Sequence, residues 1–295
     1  MPARRVETKA SLTAQVNAAQ RAAETLQFAR RGLLDDPYSR HFVRHPALRA
    51  MLVHRLPAGA AVRVFDRLCG GLHAHIVLRV RYTDDVCQAA IGDGIDQLVL
   101  LGAGFDTTSL RLAGIPLTIF EVDAPTTQTD KRPTIERLLP SSRKCQTVWV
   151  PCDFEHDALR ERLLASGFDP FKRSVIVWLG VSPYLTGHTI EQTLADLSVL
   201  CASGSHLVVD YVDAGVITGT TRWKSAQRVA RVVARRGEAY RSGFTAADLD
   251  AVLAAHGFER CEHATVSALL QRYDSAHASR LTGDDWLAIA SARRV

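Results

Sequence analysis

The segment Leu98-Val-Leu-Leu-Gly102-Ala-Gly104-Phe-Asp-Thr-Thr-Ser-Leu-Arg-Leu112, followed by Ile119-Phe-Glu-Val-Asp123, decides the fold. An apolar run rich in Val and Leu that stops at two glycines predicts a buried parallel strand turning sharply toward a helix. A second apolar run, Leu117 to Val122, ends in an acid. Glycines at such a turn let a ligand approach the backbone, and a carboxylate at the tip of the next strand can accept hydrogen bonds from a ribose diol. Together they predict a nucleotide-type pocket.

The residues after the glycines bear on which cofactor fills it. A dinucleotide site uses Gly-x-Gly-x-x-Gly, which seats a pyrophosphate on the helix N-terminus. Here the third glycine is replaced by Thr107, and Asp106 stands at the helix start. An acid there repels a pyrophosphate and tolerates a cation. S-adenosylmethionine, with a positive sulfonium and amino group and no phosphate, suits this turn better than a nicotinamide dinucleotide. Asp106 is read first as a helix cap and second as a contact to the amino group.

Composition bounds the rest. A chain of 295 residues that is 47% hydrophobic and 23% charged can bury a full-sized core. It has no apolar run of about eighteen residues, and Arg4-Arg5 is not followed by an apolar signal core, so a cytoplasmic protein without a membrane partner is expected. The six cysteines lie far apart without Cys-x-x-Cys spacing, and His73 and His75 have no third ligand in view, so no metal or disulfide framework is expected.

The net charge of +5 is concentrated between Arg222 and Arg241, where seven basic residues face one acid, Glu238. Arg228, Arg231 and Arg235 fall on one helical face and Ala226, Val229 and Val233 on another, the pattern of an amphipathic surface helix. Only Trp223 and Tyr240 stand near for base stacking, so nucleic acid is not an expected partner. Attraction of an acidic small molecule is the sharper alternative.

Along the chain, Ala14 to Arg31 predicts a helix stopped at Gly32, with two more helical pieces at Pro46–Met51 and Ala60–Leu68 separated by Leu56-Pro-Ala-Gly59. A helix over about Ile76–Ile91 then begins an alternating pattern. Strands are expected near Gln97–Leu101, Leu117–Val122, Thr147–Pro151, Ser174–Leu179 and His206–Tyr211, a helix within Gly243–Gly257, and a closing strand at Asp285–Ala292. The prediction is an α/β, doubly wound, mostly parallel Rossmann-like sheet over residues 76–295, with a helical cap over residues 1–75 covering the active site.

The chain resembles the leucine carboxyl methyltransferase family, including bacterial S-adenosylmethionine-dependent O-methyltransferases. The resemblance is carried in order by Asp36-Pro-Tyr-Ser-Arg-His-Phe-Val43, Arg79-Val-Arg81-Tyr-Thr-Asp84-Asp85, Leu101-Gly-Ala-Gly-Phe-Asp-Thr-Thr-Ser-Leu-Arg-Leu112, Phe120-Glu-Val-Asp-Ala-Pro125 with Lys131, and Tyr184-Leu185. It implies a class I methyltransferase sheet with S-adenosylmethionine as cofactor. Under it, Gly102 and Gly104 would let the methionine part lie against the turn, and Asp123 would hold the ribose hydroxyls. Arg81 would pair with the cofactor carboxylate. Asp153 would accept from the adenine amino group and Phe154 would pack on the ring. Asp84 and Asp85 would orient Arg81 or face solvent. The chain departs from the family at Leu179, where many members carry Glu, and in having only Arg21 and Arg30 by neighbourhood as the N-terminal basic residue.

The resulting expectation is an O-methyltransferase acting on a carboxyl or hydroxyl group of a small molecule such as a secondary metabolite. A carboxylate acceptor needs no base, whereas a hydroxyl needs one. Tyr184, Tyr211 and His188 are placed where such a group could stand, and none is singled out as catalytic. The alternatives are methylation of a protein C-terminal carboxylate and a cofactor-binding regulator without catalysis.

Overall fold

The computed structural model describes residues 12–295. The N-terminal helices are α1 (Leu12–Thr25), α2 (Phe28–Arg31), α3 (Pro46–Met51) and α4 (Arg55–Leu68), with a short 3-10 turn at Ser39–Phe42 before α3. The long α5 (Leu72–Gly92) leads into β1 (Gln97–Leu101), and the alternation continues through α6 (Thr108–Arg111), β2 (Thr118–Asp123), α7 (Pro125–Leu138) and β3 (Gln146–Pro151). Then come α8 (Leu159–Ala165), β4 (Ser174–Trp178), α9 (Gly187–Leu200), β5 (His206–Val212), α10 (Ala214–Thr218), α11 (Lys224–Arg235), α12 (Ala246–Ala255), β6 (Phe258–Thr265), α13 (Val266–Tyr273) and β7 (Leu287–Arg294).

The strands form one sheet in the order β3-β2-β1-β4-β5-β7-β6, parallel from β3 to β5, with β7 antiparallel to both β5 and β6. β1 and β4 lie at the centre, paired through Leu98↔Val175, and every residue of both is buried. Alternate residues of β1 serve opposite faces. Val99 and Leu101 pack with Leu159, Leu194 and Leu253 of α8, α9 and α12, while Leu98 and Leu100 pack on the other side with Cys87 and Ala90 of α5. Buried on both faces, these strands need continuous apolar sequence, which is why they read so plainly.

Several expectations are corrected in detail. The helix expected over Ala14–Arg31 breaks at Leu26 and Gln27, where the Gln27 amide turns to donate to the Arg55 carbonyl at 2.6 Å and ties the break to α4. Leu56–Gly59 is no spacer: it forms the first turn of α4, where a proline is tolerated because its missing N–H has no helical partner. The expected division at residue 75 falls inside α5, and residues 1–11 of that cap lie outside the described residues. β6 and α13 were not foreseen, and β7 begins two residues later than expected because Asp285 accepts from Ser267 instead of joining the ladder.

The chain runs outward from β1 to β2 and β3, then returns to β4 beside β1. This reversal opens a crevice at the carboxyl ends of β1 and β4, the place where open parallel sheets bind ligands. No helix among the described residues is long and apolar enough to cross a membrane.

Candidate active site

A cavity of about 450 Å³ occupies that crevice, within the size range of small-molecule and cofactor sites. Its floor is the glycine turn after β1. Gly102 has φ +65°, and a Cβ there would stand 2.2 Å from Val181 Cγ2, so both the backbone and the packing require glycine. Gly104 has φ +45°, and its missing Cβ would meet nothing closer than 3.8 Å. That open space belongs to the cavity.

Asp123 stands at the tip of β2. Its two carboxylate oxygens accept from the Gly104 and Ala124 amides, which lock the acid to the glycine turn. Burial pushes its pKa up, and those two amides oppose the shift. A carboxylate has about four acceptor sites, and with the Thr127 side chain as a third donor Asp123 still has acceptor capacity for a ligand diol. Asp153 and Phe154, after β3, line the same cavity. Asp153 already accepts from the Glu155 amide and His156 Nδ1, each at 2.9 Å, and so presents a fixed carboxylate. The structure thus brings Gly102, Gly104, Asp123, Asp153 and Phe154 together.

Arg81 is not among them. It faces away from the cavity, pairs with Asp85 at 3.2 Å and lies over the Tyr273 ring. Two residues along a helix is a turn of about 200°, so Arg79 faces the other way and lines the cavity. Arg79 donates to Asp210 at 2.6 Å, and its Nε is buried with no partner among the described residues. Arg21, expected only by neighbourhood, also lines the cavity. Its guanidinium pairs with the fully buried Asp36 at 2.9 Å and donates to the Phe105 carbonyl at 2.6 Å. The Arg30 side chain lies outside the described residues.

Asp106 fills the first of the two roles weighed for it and stands where the second could be met. It accepts from the Thr108 amide at 2.7 Å, starting α6, and it lines the cavity. Burial would raise its pKa, but Arg111, Lys131 and Arg21 outweigh burial and hold it down to about 2. Arg111 itself draws three motifs together: it donates to Asp84 at 2.7 Å and stands 3.9 Å from Asp36. Asp84 therefore serves Arg111, and only Asp85 meets Arg81.

Of the candidates for a catalytic group, Tyr184 lines the cavity, while Tyr211 does not; its hydroxyl bonds His263 instead. His188 is not on the wall either. Burial lifts the Tyr184 phenol well above its ordinary range, with the neighbouring Tyr240 and Glu238 adding to it. At neutral pH it is a hydrogen-bond donor and not a base. Of the roof, α1 falls within the cap expected over residues 1–75, whereas the loop Gly237–Arg241 was not foreseen. Thr13, Ala14 and Asn17 of α1 meet the loop Gly237–Arg241 after α11, joined by a Thr13–Glu238 hydrogen bond, and Arg241 pairs with Glu155 at 2.6 Å.

The model of the leucine carboxyl methyltransferase family matches residues 14–198, more than half of the chain. The chain belongs to the leucine carboxyl methyltransferase family. A Frankia alni protein provisionally named as an S-adenosyl-L-methionine-dependent methyltransferase is 33% identical over 68% of each chain. A similarly named Mycolicibacterium vanbaalenii protein is 35% identical over 47% of this chain and 46% of its own length, so that the match spans about half of that relative. Among solved structures, a DUF574 family protein from Streptomyces avermitilis superposes with TM-score 0.57 at 16% identity, covering 93% of this chain and 97% of its own. An O-methyltransferase family protein from Burkholderia thailandensis gives TM-score 0.51 at 13% identity, over 94% of this chain and 71% of its own. These two show the shared fold. S-adenosylmethionine is the cofactor of the family's methyltransferases, and the cavity suits it: Asp106 is an ionised acid for its cationic end, Arg79 keeps a buried N–H with no partner among the described residues, and the space over Gly104 is open.

Asp123→Ala is expected to weaken S-adenosylmethionine binding by about 1.5–3 kcal/mol, the loss of charge-assisted hydrogen bonds. Asp123→Asn, which keeps the shape of the side chain, should fall between the variant and the parent. Calorimetric titration measures both, and unchanged affinity in a folded Asp123→Ala protein removes Asp123 from the site.

Proposed function

We propose that the chain is an S-adenosylmethionine-dependent O-methyltransferase of a small-molecule acceptor in the cytoplasm, with a carboxyl group favoured over a hydroxyl as the methylated group. The observation that carries this reading is Tyr184, the one of the tyrosines considered above that lines the cavity, held protonated by burial. Kept protonated and hydrogen-bonded to Tyr240, it cannot deprotonate an acceptor. A carboxylate is already an anion and asks for nothing more.

When bound, the cofactor supplies an activated methyl group open to in-line displacement, so alignment can provide much of the acceleration. The residues of this chain then have separable tasks. Asp123 would hold the ribose, Asp153 and Phe154 the adenine, and Arg79 with Arg21 the cofactor carboxylate, each guanidinium already braced by a buried acid. Leu179, Val181 and Leu185 give an apolar wall beside Tyr184. The roof of α1 and Gly237–Arg241, joined by the Thr13–Glu238 hydrogen bond, would help to exclude water.

The test begins with titration of ligand-stripped protein with S-adenosylmethionine, S-adenosylhomocysteine and NAD. Binding of the two adenosyl-sulfur ligands alone is expected, followed by methyl transfer to members of a carboxylic-acid panel and not to the matched alcohols. Turnover confined to alcohols or phenols would overturn the carboxyl reading. Binding without turnover on any acceptor would favour a non-catalytic regulator.

A further inference from the structure

Helix α4 carries an apolar face that the described fold leaves uncovered. Its inner side, including Ala58 and Val62, packs against Ala23 of α1. On the opposite side Leu56, Val64 and Leu68 are 62%, 60% and 53% exposed, with exposed Ala60 between them. Spaced four residues apart, they form one stripe about 18 Å long. Arg63 and Arg67 are exposed along its flank. At its Leu68 end the stripe meets α11, where the Arg228 guanidinium donates to the Leu68 carbonyl at 2.9 Å. The exposed residues of α11 are Lys224, Arg228, Arg231, Ala234, Arg235 and the 41% exposed Val232.

The charge on this face is mostly of one sign, the half-buried Asp284 carboxylate that Ser225 of α11 bonds being the exception. The sequence has no acid between Asp213 and Glu238, and the one acid of α4, Asp66, is buried with its two oxygens accepting from the Ala74 and Thr282 amides. A second copy of the chain is a poor occupant, because a self-complementary contact would set arginines against arginines. A folded acidic protein would have to offer a groove to a convex helix. A bilayer needs no groove, and an aliphatic stripe bordered by arginines is the pattern of a helix lying in a lipid headgroup layer. We propose that this face seats on an anionic membrane surface, with Leu56, Val64 and Leu68 entering the headgroup boundary and the arginines of α4 and α11 lying over the lipid phosphates.

The placement links the surface to the site. α4 packs on α1, which lines the cavity, and α11 runs directly into Gly237–Arg241, which roofs it. Docking would therefore set the roof next to the lipid. The expectation of no membrane partner rested on the lack of an apolar span, and surface attachment requires none.

Vesicle flotation of the full chain tests the proposal. Retention is expected on phosphatidylcholine vesicles containing phosphatidylglycerol at low salt, with little on phosphatidylcholine alone. Arg231→Ala with Arg235→Ala should lower the partition coefficient about 30-fold, and Leu56→Ser with Leu68→Ser about 10-fold or more at unchanged charge. All four side chains are exposed, and an unshifted thermal melt certifies the fold of each variant. Absence of binding to the anionic vesicles overturns the proposal. So does binding that the serine pair leaves untouched, or equal capture by immobilised polyglutamate, since either outcome means charge attraction without insertion.

Discussion

Replacing Lys131 with alanine is expected to cost about 3–5 kcal/mol of stability at neutral pH, because it strands a buried carboxylate. Lys131 and Glu121 are each about 1% exposed and pair at 2.6 Å, with Ser109 donating to the other Glu121 oxygen. Burial pushes the Glu121 pKa up, and Lys131 is the main force holding it down. Without the lysine the folded-state pKa rises further above the unfolded value. A raised carboxyl pKa means that the native state binds more protons, so stability is retained at low pH and lost as pH rises through the folded pKa. The deficit of Lys131→Ala should accordingly shrink in mildly acidic buffer and grow above neutrality, as urea titrations at several pH values would show. Lys131→Met combined with Glu121→Leu removes both charges and should recover most of the loss. A pH-independent deficit that the double variant fails to relieve would mean that packing, not the stranded charge, is responsible.

That pair also shows what kind of information the sequence carries. Glu121 appears in it as one residue of an apolar run and Lys131 only as part of a resemblance, and nothing in their spacing says that they are buried together. The central strands were legible because β1 and β4 are covered on both faces and must be spelled as apolar runs. β6 was not, because it is the outer strand of the sheet and Glu259, Arg260 and Cys261 face solvent there, which breaks the apolar signal. α4 was read as starting late because Pro57 and Gly59 look like a turn. In the structure the proline falls in the first helical turn, and Gly59 admits the Gln27 side chain.

The site divides in the same way. Gly102, Gly104, Asp123, Asp153 and Phe154 follow strand ends, and strand ends converge in a parallel sheet, so sequence order alone gathers them. The choice between Arg79 and Arg81 depends on the rotation of α5 about its axis. Arg79 sits among consecutive buried positions of α5, whereas Arg81 falls where the burial first breaks, a distinction the local sequence does not display. Arg21 and the Gly237–Arg241 roof are brought to the cavity by tertiary packing of distant helices, and their local sequence carries no signal of it. The unforeseen role of Asp36 is of this kind too: its motif was visible, but its partner Arg21 was not.

Asp210→Ala is expected to have the second large effect, again about 3–5 kcal/mol in stability, and to weaken S-adenosylmethionine binding as well. One carboxylate oxygen of Asp210 takes Arg79 at 2.6 Å and His75 at 3.1 Å, while the other takes the Gly180 amide at 2.6 Å. Burial would raise its pKa, but Arg79 with the His75 and Gly180 donors outweighs burial and holds it down to about 2. Because the folded pKa lies below the unfolded one, this contribution is present above the ordinary carboxylate range and lost as pH falls through the folded value. Asp210 thereby fixes two parts of the cavity wall, the Arg79 guanidinium and the turn at Gly180. Arg79→Ala should weaken cofactor binding with a smaller loss of stability, since it leaves Asp210 its His75 and Gly180 donors. In Asp210→Ala, by contrast, Arg79 remains as a buried charge without its acid. Thermal unfolding and calorimetric titration of the two variants separate these effects. If Asp210→Ala were as stable as the parent and bound the cofactor equally well, Arg79 would be held by other contacts and the positioning role of Asp210 would fall.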